Sequence, residues 1–258
     1  MDPFTLAGII LAFIAVFGSM IMEGGNPASI FLPPAMMLVF FGTFGVAMAC
    51  GLKKDTIGAL KSVKSALLTK QHAPEEVVKS IVGFAELARR DGLLALEDAA
   101  KSIEDPFLRQ GIQLAVDGTD PEELREIMEA QIKSRKTQDK AGAKFFADMG
   151  GFAPTLGIIG TVLGLVHVLE NLSDPGKLGH LIAGAFVATL WGVLTANIMW
   201  LPIGSKLTRV GAVNAHHMEL IVEGVLSVQA GANPRVVEQK LMSFLSEDER
   251  PAESAKAA

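Results

Sequence analysis

The stretch FFADMGGFAPTLGIIGTVLGLVHVLENL, residues 145–172, decides the fold, because it is long enough and apolar enough to cross a lipid bilayer. It also carries Pro154, five glycines and two threonines, which a passive membrane anchor does not need. Glycine lets a neighbouring helix approach closely, and hydroxyl or freed carbonyl oxygens can receive an ion. We interpret the stretch as a helix that packs tightly and lines an ion path.

The sequence has three further runs of about 20 apolar residues or more, two before this stretch and one after it. Together the four predicted spans cover residues 3–22, 30–51, 145–169 and 178–203. No period-two alternation is present, so the predicted fold class is all-α: a polytopic membrane protein with four transmembrane helices and a helical cytoplasmic insertion between the second and third. The predicted parts are 1–52 with helices one and two, 53–144 as the insertion, 145–206 with helices three and four, and 207–258 with C-terminal helices and a disordered tail.

The distribution of lysine and arginine predicts the orientation in the membrane. Of the 23 basic residues, 16 lie in 53–144 and 6 in 206–258, whereas the loop at 23–29 has none and the loop at 173–177 has one. Basic residues collect on the cytoplasmic side of membrane proteins. We therefore expect the insertion and both termini in the cytoplasm.

Composition excludes several classes of function. The net charge is −5 and no basic tract is present, so nothing points to nucleic acid. Cys50 is the single cysteine, and no nucleophile–base pair or metal-ligand cluster is apparent. We therefore expect neither an enzyme nor a bound cofactor or metal.

No Asp, Glu, Lys or Arg lies near the middle of any predicted span. Because a proton route through hydrocarbon normally needs a titratable group, an essential carboxylate must come from another chain if this protein conducts ions. The chain itself offers hydroxyl oxygens, Thr161 on the glycine-bearing face of the third span and Thr189 on the fourth. Pro154 adds a carbonyl that the helix cannot pair.

Each of these features also has a purely structural reading. A transmembrane threonine often bonds back to its own helix, and a proline can be a tolerated kink. Gly157, Gly160 and Gly164 indicate close helix packing.

Two further polar residues lie in the third span or near its start. His167 lies on the face opposite Thr161 and is expected to pair with a neighbouring helix. Asp148 either attracts cations at the inner mouth of the span or caps the helix.

The segment AELARRDGLLALEDA, residues 85–99, places Arg89-Arg90 before a glycine turn and Glu97-Asp98 after it. Such a compact charge pattern could dock a charged partner and set its orientation. The alternative is an ordinary solvated helix face.

Three segments together resemble the MotA family of flagellar stator subunits, within the wider group that includes ExbB and TolQ. They are ARRDGLLALE at 88–97, APTLGIIGTVLGLVHVLENLSDP at 153–175 and AFVATLWGVLTANIMWLPI at 185–203. The similarity covers most of the chain, including the four spans and the insertion. It implies a flagellar motor subunit of the bacterial inner membrane that converts ion flow into rotation.

The resemblance also implies the partners. A homopentamer of such subunits surrounds a dimer of a MotB-like protein, whose single transmembrane helix carries the ion-binding aspartate and would supply the missing carboxylate. Ion passage would turn the pentamer around a dimer anchored to peptidoglycan. Charged residues of its cytoplasmic part would then push the flagellar rotor switch protein.

By motif, the resemblance assigns rotor contact to Arg89, Arg90 and Glu97. It assigns positions on or near the ion path to Pro154, Thr161, Thr189 and Pro202. Sodium-using relatives tend to carry an additional threonine immediately before the position of Thr189, where this chain has Ala188. Because fewer oxygens replace a sodium hydration shell poorly, the expected transported ion is H⁺, with Na⁺ as the alternative.

Two other functions fit the sequence less well. An ExbB/TolQ-type energiser of an envelope protein usually has three spans and an outside N-terminus, which the four spans and the segment ARRDGLLALE argue against. A stand-alone ion channel or transporter would need a buried charged site and usually repeat symmetry, and neither is visible in the sequence.

Overall fold

The computed structural model describes residues 3–68 and 74–245, and the predicted disordered tail at 247–258 lies outside them. The described residues are helical and contain no strand, as predicted. Their α-helices are α1 Pro3–Met22, α2 Pro33–Cys50, α3 Lys53–Leu68, α4 Pro74–Asp91, α5 Leu96–Ala100, α6 Pro106–Val116, α7 Pro121–Glu170, α8 Pro175–Thr195, α9 Leu201–Gln229 and α10 Pro234–Met242. Short 3₁₀ turns lie at Pro27–Ile30 and Leu93–Ala95, and a π-helical turn lies at Ala196–Trp200.

Polar caps followed by proline set where several helices begin. The Asp105 carboxylate accepts a hydrogen bond of 2.8 Å from the backbone N–H two residues later, with Pro106 as the first residue of α6. Asn233 does the same at 3.0 Å before Pro234 and α10. A side-chain oxygen satisfies an N–H group that the helix start leaves unpaired, and proline loses nothing at that position. An N-cap acceptor followed by proline predicts a helix start from the sequence alone, and the starts predicted in this way at Asp105-Pro106 and Asn233-Pro234 are confirmed.

The chain divides into two compact units. The membrane unit comprises the described residues of 3–68 and 138–210, and the extramembrane unit comprises those of 74–137 and 211–245. The boundaries at 137/138 and 210/211 fall inside helices, so α7 and α9 contribute to each unit. Helix α3, which belongs to the predicted insertion at 53–144, clusters with the membrane unit.

Four helical segments in the described part of the chain are long and apolar enough to cross a membrane. The first two are α1, with a mean hydropathy of 2.4, and α2, with 1.6. The third lies within α7, and the fourth lies within the continuous helix that α8, the π turn and α9 form. The number of spans predicted from the sequence is confirmed.

An aromatic contact ties α8 to α2. The Trp191 ring of α8 packs on Phe40 of α2 with ring centroids 5.9 Å apart. The Trp191 indole N–H also donates to the carbonyl oxygen of Ile30 at 2.7 Å. Because a buried indole fixes the rotation of its helix, this contact sets the direction in which the other faces of α8 point.

The extramembrane unit has its own hydrophobic core. Six of its helices each supply a side chain with no exposed surface: Ile81, Leu96, Ile112, Leu124, Ile221 and Leu241. Since α4 and α5 both take part, the exposed turn between them at 92–95 is supported by this core. Glu223 of α9 adds a polar junction, accepting from Arg125 and Lys240 at 2.7 Å each.

We expect the substitution Asp105→Ala to loosen α6. The variant loses the N-cap of α6 and the contact between the Asp105 carboxylate and His217 of α9, which are 3.3 Å apart. Loss of an N-cap costs about 1–2 kcal/mol, or about 5- to 30-fold in a local opening equilibrium. Amide hydrogen exchange of the α6 peptide, measured in the full chain, should accelerate by about that factor.

The difference in α6 amide exchange between the wild-type protein and Asp105→Ala should also depend on pH in the acidic range. Burial would raise the pKa of Asp105, but hydrogen bonds from His217 and two backbone amides lower that pKa below its ordinary value. Such a carboxylate stabilises the fold above its unfolded pKa, and the contribution is lost as pH falls through the folded pKa. The difference between the wild-type and alanine proteins, compared at the same pH, should therefore begin to shrink below about pH 4.

Asp105→Asn is the matched control, because asparagine keeps a capping oxygen. Its α6 peptide should exchange much more slowly at neutral pH than that of the alanine variant. Identical exchange in all three proteins would show that Asp105 does not hold α6.

Candidate functional site

The third and fourth spans pack backbone to backbone in the membrane unit. A Cβ atom at Gly157 would lie 2.9 Å from the carbonyl oxygen of Ala188, and one at Gly160 would lie 2.6 Å from the Ala188 Cβ. A Cβ atom at Gly164 would lie 2.6 Å from that of Ala185. Because α7 positions rise as α8 positions fall, the two helices are antiparallel, and only glycine fits on the α7 side.

This close contact brings the two predicted threonines together. The hydroxyls of Thr161 and Thr189 form a hydrogen bond with each other. The Thr161 hydroxyl lies 3.0 Å from the carbonyl oxygen of Ala185. Both hydroxyls also lie 3.2 Å from the carbonyl oxygen of Gly157. We call these four residues the threonine cluster, and only the Thr161–Gly157 contact is a bond back to the same helix.

The threonine cluster has more acceptors than protons. Its two hydroxyls carry two hydrogens, whereas two hydroxyl oxygens and two carbonyl oxygens all have lone pairs. The surplus lone pairs can accept a hydrogen bond from a protonated carboxyl group or coordinate a dehydrated cation. The cluster contains no titratable group, so it cannot take up and release a proton by itself.

One side of the threonine cluster is open in the single chain. Thr161 and Thr189 are half-buried, while large apolar side chains beside them are exposed, at 55% for Ile158, 62% for Phe186 and 46% for Val193. Apolar side chains at this depth contact lipid or another apolar helix. An oxygen-lined notch with an apolar rim therefore fits a transmembrane helix of another chain.

Pro154 and Pro202 lie on the same side of the threonine cluster. At 1.5 Å per residue, Pro154 is about 10 Å from Thr161 along α7, and Pro202 is about 20 Å from Thr189 along its own helix. Since the two helices are antiparallel, both displacements lead towards the same membrane face. Their place on the ion path stays a prediction.

A π-helical turn accommodates Pro202. The Leu201 N–H donates to the carbonyl oxygen of Ala196, five residues earlier instead of four. Pro202 has no N–H, so the carbonyl of Ile198 also lacks its usual helical partner. Carbonyl groups are thus released from the regular α-helical ladder at the C-terminal end of the fourth span, and such turns are frequent at functional sites.

Asp148 and His167 both pair within their own helix. Asp148 lies in the interior of α7 and accepts from Lys144 at 2.7 Å, so it is not a helix cap. His167 Nδ1 lies 3.3 Å from the Glu170 carboxylate. The expectation that His167 pairs with a neighbouring helix is therefore wrong for the described chain.

The predicted rotor-contact residues lie on an exposed turn of the extramembrane unit. Gly92 has a φ of 84°, a left-handed conformation that ends α4 and redirects the chain. Arg89, Arg90 and Glu97 are exposed on either side of it. The Asp91 carboxylate binds the Arg90 guanidinium at 2.8 Å, and this hydrogen bond lowers the pKa of Asp91. Their contact with a rotor stays a prediction.

Three features of these sites are absent from the sequence-based predictions. They are the close packing of Gly192 on α7, where a Cβ atom would lie 2.6 Å from the carbonyl oxygen of Ala153, the carbonyl oxygens of Gly157 and Ala185, and the pairing of Asp91. Gly192 could have been found, because it shares a helix face with Thr189. The adjacent opposite charges of Arg90 and Asp91 were also a usable signal. The two carbonyl oxygens gave no signal in the sequence, since every residue has a backbone carbonyl.

Known relatives and solved structures match nearly the whole chain, and a family model matches its central part. Residues 99–220 match the MotA/TolQ/ExbB proton channel family. The chain is 37% identical to motility protein A of Bacillus subtilis over 252 residues, which cover 97% of this chain and 93% of the relative. Two solved structures are similar. The C. jejuni MotAB structure has a TM-score of 0.92 at 34% identity, covering 98% of this chain and all of that one. The flagellar MotAB stator complex of Bacillus subtilis has a TM-score of 0.88 at 36% identity, covering 96% and 98%.

Proposed function

Because the chain belongs to the MotA/TolQ/ExbB proton channel family, with motility protein A among its relatives, we propose that it is a flagellar stator subunit. With a MotB-type partner it forms an ion channel that converts ion flow across the membrane into rotation of the flagellar motor. The chain is a multi-pass membrane protein, and its part in the motor is that of a channel subunit rather than an enzyme.

The threonine cluster is the observation that carries this proposal. It collects surplus acceptor oxygens between two spans, yet no Asp, Glu, Lys or Arg occurs in 149–169 or 178–205. Proton transfer through hydrocarbon needs a titratable group, which a partner helix carrying one aspartate would bring to the open side of the cluster. In this role Thr161 and Thr189 would hold the protonated carboxyl, and neither would be the relay itself.

The orientation and assembly are part of the same proposal. Basic residues favour a cytoplasmic extramembrane unit with both termini inside, in the bacterial inner membrane. The resemblance to stator subunits favours a homopentamer around a partner dimer. The turn with Arg89, Arg90 and Glu97 would then face the rotor switch protein on the cytoplasmic side.

We predict that conduction requires the partner. The chain alone, reconstituted in vesicles with an internal pH dye, should give no proton flux above that of empty vesicles. Co-reconstitution with its MotB-type partner should give flux, and replacing the partner's membrane aspartate by asparagine should remove it. Robust flux through the chain alone would contradict the missing-carboxylate argument.

We propose H⁺ as the transported ion. Ala188 stands where an extra hydroxyl would favour sodium, and it is 2% exposed, with its side chain against Gly160. A proton needs only the partner carboxylate, whereas Na⁺ needs several oxygens to replace its hydration shell.

The ion can be identified from the energy source for swimming. Cells that depend on this chain and its partner should swim at the same speed with sodium replaced by potassium. A protonophore should stop them within the time needed to collapse the proton gradient. A strict sodium requirement would overturn the ion assignment and leave the stator function intact.

A further inference from the structure

The exposed turn of the extramembrane unit has an apolar side chain at its tip. Leu94 is 74% exposed, the highest value among the large hydrophobic residues described in this unit, with Val236 next at 56%. The neighbouring leucines of the same turn point inward, since Leu93 is half-buried and Leu96 has no exposed surface. A single exposed leucine is common on protein surfaces, so its surroundings decide whether this one has a role.

The backbone holds Leu94 in place before any partner arrives. The Gly92 N–H donates to the carbonyl of Ala88 at 2.9 Å, and the Ala95 N–H donates back to Gly92 at 3.2 Å. The Leu96 N–H donates to the carbonyls of Leu93 and Leu94. A side chain on a turn fixed in this way loses little conformational freedom when it is covered, which favours binding.

The charges around Leu94 are of two kinds. Arg90 forms a salt bridge with Asp91 at 2.8 Å, and Asp98 forms one with Lys101 at 2.7 Å. Arg89, five residues before Leu94, and Glu97, three residues after it, make no salt bridge among the described residues. The turn therefore presents one available positive charge, one exposed leucine and one available negative charge.

We propose that Leu94 is the apolar anchor of the rotor-facing surface, with Arg89 and Glu97 as the charges that orient the partner around it. This inference rests on the proposed stator function. The complementary partner surface is an apolar pocket with a carboxylate on the Arg89 side and a basic group on the Glu97 side. Burying an apolar anchor supplies contact energy at the centre, while flanking charges supply orientation.

The test uses a host that lacks its own stator proteins and receives this chain together with its partner. Leu94→Ser should reduce motor torque, measured on tethered beads, by at least about fivefold, as expected for loss of a central contact. Proton flux of the purified complex and the amount of complex in the membrane should stay at wild-type levels. Leu94→Met, which keeps an apolar side chain, should retain most of the torque.

Val236→Ser is the matched control, because it removes an exposed apolar side chain of the same unit on α10. It should leave torque unchanged. Wild-type torque in Leu94→Ser would overturn the anchor while the stator function stands. Equal losses in the two serine variants, or a fall in complex amount, would also overturn it in favour of a structural role. Failure of the wild-type chain and partner to drive any rotation would remove the stator function and this inference with it.

Discussion

We expect the Gly192→Val variant to lose the assembled membrane complex and therefore motility. A Cβ atom at Gly192 would lie 2.6 Å from the carbonyl oxygen of Ala153 and 3.0 Å from the Cα of Gly157. These are backbone atoms of α7, which cannot rotate away as a flexible side chain could. Overpacking of a tight contact costs about 1–3 kcal/mol, and here it also separates the helices that form the threonine cluster.

The measurement is the amount of complex recovered with the partner after mild detergent extraction and size-exclusion chromatography. Gly179→Val is the control on the same helix, because a Cβ atom at Gly179 would meet nothing within 4 Å in the described chain. It should give wild-type recovery, and swimming in soft agar should follow recovery in both variants. Normal recovery of the Gly192 variant would show that α7 and α8 do not need this contact.

The second large effect is expected from Thr189→Val, which should lower proton flux by about tenfold or more. Valine has the shape of threonine but no hydroxyl, so the packing against α7 is kept. The variant loses the contacts of the Thr189 hydroxyl with Thr161 and with the carbonyl of Gly157. A buried polar group left without its hydrogen-bond partner costs about 1–3 kcal/mol, and 1.4 kcal/mol corresponds to a tenfold change in rate.

Flux should be measured on complexes matched for amount, with Thr189→Ser as the control that restores the hydroxyl. The serine variant should conduct at close to the wild-type rate. If the valine variant instead conducts normally, the hydroxyl is a structural bond between helices and not part of the ion path. If the valine variant forms less complex but each complex conducts at nearly the wild-type rate, the same conclusion follows.

The two spans of the site differ in how much their sequences reveal. The glycine-rich face of α7 predicts a close helix–helix contact, because small residues at helical spacing in a membrane helix are typical of such contacts. The partner face of α8 is less evident, since Ala185, Ala188 and Gly192 are ordinary members of an apolar run. Which α8 residues meet which glycines depends on the rotation of α8, and the contacts of Trp191 with α2 and Ile30 set that rotation.

The sequence of the charged turn around Gly92 also reveals only part of its structure. The spacing of Arg89, Arg90 and Glu97 around Gly92 marks a surface with available charge. It does not reveal that Asp91 engages Arg90, or that Leu94 points outward while its neighbours point inward. Those outcomes depend on the left-handed conformation of Gly92 and on the core beneath α4 and α5.

The sequence by itself determined the four spans, the capped helix starts and the lack of a membrane carboxylate. Each follows from residue type and short-range spacing, through the cost of placing polar groups in hydrocarbon and the need to satisfy free N–H groups. Tertiary structure alone decided the meeting of Thr161 with Thr189, the carbonyl oxygens that join them and the π turn before Pro202. These features depend on the register and rotation of packed helices, in which a shift of one residue turns a side chain by about 100° around its helix.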